Sequence, residues 1–125
     1  MGLANTVIDH PDEYWSLVNQ HPLVFVLFVS EYCEACLGAN KRFENIAANH
    51  TDSAKSMVLD TRQTPKIEAL GDIGTPTLVV YQNGKEAGKF QGIGFPEDQE
   101  EYLAGVFAHF VNGAPLPELP AYLLL

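Results

Sequence analysis

This 125-residue chain contains two cysteines and one tryptophan, and its seven lysines and arginines are outnumbered by sixteen aspartates and glutamates. Each scarcity excludes something. So few cysteines cannot form the disulfide framework of a small secreted scaffold. Basic residues this sparse do not build the clustered phosphate-binding surface that nucleic acid or anionic lipid requires, so neither is expected as a partner. The negative charge is read as keeping a small domain soluble. His10, His21, His50 and His109 stand singly and no second C-x-x-C is present, which leaves an intramolecular zinc site short of ligands. The longest apolar run, "LVFVLFV" from Leu23 to Val29, is far too short to span a bilayer. The opening "MGLANTVIDHPDEYW" has no positively charged n-region and no continuous apolar h-region. A cytoplasmic chain is expected, or a periplasmic one if a leader has been removed.

What is present reads as one globular domain over 1–112 followed by a Pro-rich apolar tail over 113–125. A short strand is expected around Thr6 to Ile8. A helix then begins near His10 or Pro11, with Pro11 suited to a first-turn position and Asp12 and Glu13 favourable at its N-terminus. Tyr14, Leu17 and Val18 recur at helical spacing. "LVFVLFV" reads as a central strand buried on both faces. A second helix is expected from Cys33, with Cys36, Ala39, Phe43, Ile46 and Ala47 on one face and Lys41, Arg42, Glu44 and Asn45 off it. "KSMVLDT" reads as a strand and "TPKIEALGDIG" as a short helix. "PTLVVYQNGKEAGKFQG" reads as a hairpin turning at Asn83-Gly84. "PEDQEEYLAGVFAHFV" completes the domain as a helix with Leu103, Val106, Phe107 and Phe110 as its apolar stripe. The order β-α-β-α-β-α-β-β-α implies an α/β fold, a mixed central sheet with helices on both faces.

The only two cysteines, Cys33 and Cys36, lie in "SEYCEACLGANKRF", between the apolar run and a helical pattern. Unpaired backbone N–H groups at a helix N-terminus lower a thiol pKa and populate the nucleophilic thiolate. Residues three apart on a helix face the same side, so this pair can close a small disulfide: the first thiolate attacks a substrate disulfide and the second resolves the mixed disulfide. Two other readings stay open at this point. The thiols could share a metal or cluster between two chains, or they could be inert core cysteines.

The element order together with "SEYCEAC" after "LVFVLFV" resembles the thioredoxin family, and "GDIGTPTLVVYQNGKEAGKFQG" resembles that family's second half. The resemblance spans roughly residues 5 to 112 and rests on several separated motifs. It implies a thioredoxin-like three-layer sandwich with Cys33 as exposed nucleophile and Cys36 as buried resolving thiol. It also implies a cis peptide bond before Pro76 and a substrate surface made by Tyr32, Thr75, Pro76, Gly92 and Ile93, with Thr75 offering backbone groups to an extended segment.

The departures from the family have physical consequences. Leu27 stands where a buried aspartate assists proton transfer to the resolving thiol, and its companion lysine is missing from "SMVLD". Glu34-Ala35 replaces Gly-Pro, and Leu37 replaces a basic residue. Losing the carboxylate removes its desolvation cost and also a candidate base near Cys36. Glu34 would modulate the Cys33 pKa by disfavouring a thiolate beside it, unless solvent screens it.

The expectation is a monomeric thiol-disulfide oxidoreductase acting on protein disulfides or dithiols, supplied by an unidentified reductase or small thiol, with no bound cofactor and no metal. The alternative is a binding module that uses the same fold as an adaptor or chaperone-like surface, motivated by the missing proton relay and the apolar tail.

Overall fold

The seven side chains of "LVFVLFV" have no exposed face, and this decides the architecture. Every residue of strand β1 (Leu23–Val29) is buried, so layers must cover both sides of it. The structure, a computed structural model, describes residues 11–30, 33, 36, 38–61, 74–94 and 96–117. Over these the order is helix α1 (Pro11–Asn19), β1, helix α2 (Ala39–Ala47), strand β2 (Lys55–Asp60), strands β3 (Thr77–Gln82) and β4 (Lys85–Gln91), and helix α3 (Pro96–Asn112). The expected strand at Thr6–Ile8 and the short helix within 64–71 fall outside the described residues.

The sheet order is β2-β1-β3-β4. β1 is parallel to β2 and antiparallel to β3, and β3 is antiparallel to β4. Alternation along β1 divides the core. Leu23, Phe25, Leu27 and Val29 pack with Ala39, Phe43, Ile46 and Ala47 of α2 and Leu103, Val106 and Phe107 of α3. Val24, Val26 and Phe28 face the other way, onto Tyr14 and Val18 of α1. Burial of each such side chain contributes about 1.5–3 kcal/mol. Phe25 and Phe107 stack with ring centroids 3.9 Å apart, coupling the sheet to α3.

The hairpin turns where both central residues have positive φ, Asn83 at 53° and Gly84 at 83°, the conformation that Asn-Gly accommodates most easily. The register shifts between Val80 and Tyr81. β4 is the exposed edge, and Lys85, Glu86 and Lys89 along it discourage pairing with another chain.

One expected boundary is corrected. α2 begins at Ala39, because Gly38 at φ 75°, ψ −4° is left-handed and a right-handed helix cannot run through it. Cys36 belongs to a separate tight turn ahead of α2, its N–H donating to the Cys33 carbonyl at 3.1 Å. Beyond α3, Gly113 N–H bonds the His109 carbonyl at 3.0 Å, and the His109 ring donates from Nδ1 to the Ala114 carbonyl at 2.6 Å. Pro117 lies against Gly105, where an added Cβ would meet its Cγ at 2.9 Å. This part of the tail is therefore laid back along α3.

Candidate active site

Where β1 ends the chain folds into two successive turns. Cys33 N–H donates to the Ser30 carbonyl at 3.2 Å, and Cys36 N–H then bonds the Cys33 carbonyl. These turns bring the cysteines together as a disulfide, with Cα atoms 5.2 Å apart, inside the range a disulfide accepts. The two sulfurs are not equivalent. Cys33 is half-buried, whereas Cys36 is 8% exposed and belongs to the core. Only the first is well presented to a partner.

The second wall of the site comes from the start of β3. The Thr75–Pro76 peptide bond is cis, and the Thr75 carbonyl oxygen lies 3.3 Å from Cys33 Sγ. In the disulfide that sulfur carries no proton; once reduced, its S–H has an acceptor in place. Thr77 holds the loop from below, its hydroxyl donating to the Gly74 carbonyl at 2.6 Å. The third wall follows β4, where Gly92 N–H donates to the Pro76 carbonyl at 2.9 Å. Cys33, Thr75 and Gly92, far apart in sequence, therefore share one surface, with the Pro76 carbonyl tying Gly92 to the loop beneath it.

Ile93 does not join that surface. It is 0% exposed, packed in the same cluster as Cys36 and Leu27, so the expectation that it contacts substrate is corrected. Just past the end of β4 the chain passes through left-handed Gly92 (φ 73°), which stays exposed, and Ile93 beyond it is sunk in the core as the floor of the site. Pro76 is also buried, leaving Gly74, Thr75 and Gly92 as the accessible rim beside Cys33. Tyr32, Glu34, Ala35 and Leu37 lie outside the described residues.

Beneath Cys36 the environment is apolar. Leu27 is fully buried, with Val58 of β2 and Leu78 of β3 as its register partners. On its other flank the disulfide opens to a cleft of about 370 Å³ lined by Val29, Ser30, Gly38, Asn40, Lys41 and Asp60 as well as both cysteines. Asp60 is the one carboxylate among the described lining residues. Among the described residues no group of three or more histidine, cysteine, aspartate or glutamate side chains could hold a metal ion, and no described helix is long and apolar enough to cross a membrane.

One polar connection is not legible in the sequence. Gln99, in the first turn of α3, is 0% exposed. Its Oε1 accepts from Arg42 Nη1 at 2.9 Å and its Nε2 donates to the Gly94 carbonyl at 3.1 Å. Arg42 lies off the apolar face of α2 and Gln99 off the apolar stripe of α3, and a polar residue among charged neighbours carries no periodic sign of burial. On the opposite face of the sheet, Tyr14 and Tyr81 share a buried hydroxyl–hydroxyl bond of 2.7 Å. Burial raises both phenols, Tyr14 above the usual tyrosine range and Tyr81 up to about 12.

The Thioredoxin family model matches residues 5–104, and the chain belongs to that family. Its pair of cysteines at disulfide distance belongs to the thiol-disulfide oxidoreductase class. The fold is shared with the oxidised thioredoxin of Plasmodium falciparum, at TM-score 0.72 and 20% identity over 86% of this chain and 99% of that one. It is likewise shared with a mutant thioredoxin of Halobacterium salinarum, at TM-score 0.71 and 19% identity over 91% and 100%. The thioredoxin of Malassezia sympodialis, a member of a pan-allergen family, aligns at TM-score 0.67 and 22% identity over 82% and 90%. Comparison with curated proteins finds no match of significance.

Proposed function

We propose that this chain is a protein-disulfide oxidoreductase with Cys33 as nucleophile and Cys36 as resolving thiol. The observation that carries the reading is a disulfide whose half-buried sulfur faces the Thr75 carbonyl while its partner sulfur is sunk in the core. The Cys33 thiolate attacks a substrate disulfide, forming a Cys33–substrate bond and releasing one substrate thiolate. The Cys36 thiolate then attacks Cys33 Sγ, forms the Cys33–Cys36 disulfide and releases the second substrate thiolate. The two protons of the dithiol end on the two substrate thiols, and two electrons have passed to the substrate. An extended substrate segment runs beside Gly74, Thr75 and Gly92, offering backbone groups as an added strand does.

With Leu27 in place of a buried acid, Cys36 loses its proton to solvent in the cleft, and resolution is slower than a buried general base would make it. Electrons come from an external reductase or small thiol, and no bound cofactor is needed. The protein works as a monomer in the cytoplasm, where a C-x-x-C pair serves redox exchange rather than structure.

The test is turnover of a protein disulfide such as that of insulin, with a dithiol as electron donor. Cys33→Ser abolishes turnover, and Cys36→Ser accumulates a mixed disulfide at Cys33 that mass spectrometry detects. Absence of turnover by the unaltered protein would leave the adaptor reading in its place.

A further inference from the structure

The first turn of α3 contributes a buried amide whose hydrogen bonds link α2 to the segment beside the active-site loop. Arg42 lies one turn into α2, with its guanidinium against Gly38. A Cβ at Gly38 would meet Arg42 Nη2 at 3.0 Å. From Arg42 the link runs through Gln99 to the Gly94 carbonyl. Two residues back, Gly92 N–H holds the Pro76 carbonyl, and the adjoining Thr75 carbonyl faces Cys33 Sγ. Arg42 only donates and the Gly94 carbonyl only accepts, so the Gln99 amide has a single satisfying orientation. Its burial makes each of those bonds costly to leave unmade.

We propose that Gln99 is a positioning residue for the substrate groove: clamped by Arg42, it fixes the Gly92–Gly94 segment, and through Gly92 the loop of Thr75 and Pro76, in the arrangement that receives an extended peptide. This rests on the oxidoreductase reading. The clamp acts on the rim of the groove rather than on the sulfurs, so its loss weakens capture of a peptide-borne disulfide and spares the exchange chemistry. Preorganisation of this kind appears in KM, since a mobile rim must be ordered at each encounter.

The experiment uses Gln99→Met, which keeps the volume and removes both hydrogen bonds, and Arg42→Met, which removes the clamp on the amide and leaves its bond to Gly94. In Gln99→Met, KM for insulin is expected to rise about five- to thirtyfold, the equivalent of one or two kcal/mol. In the same variant, kcat and the rate with hydroxyethyl disulfide, which has no peptide segment, stay at the wild-type level. Arg42→Met moves KM in the same direction by less. Amide hydrogen exchange supplies a second readout that needs no activity. Gly92 N–H, bonded to Pro76, exchanges faster in Gln99→Met, while the amides of β1 do not change.

A parallel fall in rate with insulin and with the small disulfide would overturn the proposal, since the clamp would then serve the whole fold. Unchanged Gly92 exchange would overturn it too. If the wild-type protein exchanges with neither disulfide, the oxidoreductase reading fails and the positioning role in a substrate groove falls with it, whatever Gly92 does. The exchange data then show only whether the clamp holds the segment.

Discussion

Cys33 Sγ and the carbonyl oxygen of Thr75 lie 3.3 Å apart, across 42 residues of sequence. The contact joins the two halves of the domain at the point where exchange is proposed, and it sets the nucleophile apart from Cys36. In the fully reduced protein, Cys33 is expected to react with a small alkylating agent at least about tenfold faster than Cys36, because thiolate access governs the rate. Peptide mapping after brief labelling measures this. Equal labelling would mean that the difference in exposure does not reach the chemistry.

Leu27 offers a direct view of the missing acid. Leu27→Asp places a carboxylate among Val58, Leu78 and Cys36, where an unpaired buried charge costs about 3–5 kcal/mol. Desolvation raises the folded-state pKa of that carboxyl above its unfolded value. The folded state then holds its proton longer, so the stability penalty is smallest at low pH, where only the lost packing and the buried neutral carboxyl remain, and grows as pH rises through the interval between the two values. Urea unfolding at acid and at neutral pH checks the sign. The same variant accelerates the resolving step, seen as faster release from the Cys33 mixed disulfide.

Tyr14 and Tyr81 carry the alkaline limit of the fold. Both phenols are raised by burial, Tyr81 to about 12, against about 10 in the unfolded chain. Between these values the folded state binds more protons than the unfolded state, so stability is fully present below pH 10 and declines as pH climbs toward 12. Ultraviolet absorbance titration alongside unfolding curves tests this. Replacing either tyrosine alone by Phe leaves the other hydroxyl without its partner and costs about 1–2 kcal/mol. The double replacement costs less than the sum of the two, which a double-mutant cycle reads.

The tail separates the enzyme from the adaptor. Removing residues 113–125 deletes the bond from His109 to Ala114 and the cover over Gly105. A loss of about 1 kcal/mol is expected from the hydrogen bond, with turnover of a protein disulfide unchanged. Loss of turnover in a folded truncation would instead favour a tail that captures partners.

Much of this molecule is legible in the sequence, for identifiable reasons. β1 announces itself because a continuous apolar run bounded by Pro22 and Ser30 has few alternatives, and Asn83-Gly84 marks its hairpin because few residues accept positive φ twice in succession. Cys33 and Cys36 stand out by spacing, and Pro76 and Gly92 by resemblance. The start of α2 is not legible because the helical pattern continues through Gly38, and only the backbone shows the left-handed residue that stops it. Ile93 reads as surface through its neighbour Gly92, although only the backbone shows that the chain leaves β4 at a left-handed Gly92 and buries the residue after it. Gln99 is invisible because burial of a polar side chain depends on partners from other elements, here Arg42 and Gly94.

Whether Cys33 and Cys36 form a reversible redox pair is decided by a redox titration. The protein is equilibrated across graded thiol/disulfide buffers, quenched, alkylated and weighed. One two-electron transition between dithiol and intramolecular disulfide is expected. A midpoint near about −270 mV marks a reductase, and one nearer about −120 to −200 mV an oxidant or isomerase. If no Cys33–Cys36 disulfide forms at any poise, the pair is not a redox centre and the protein is not an oxidoreductase.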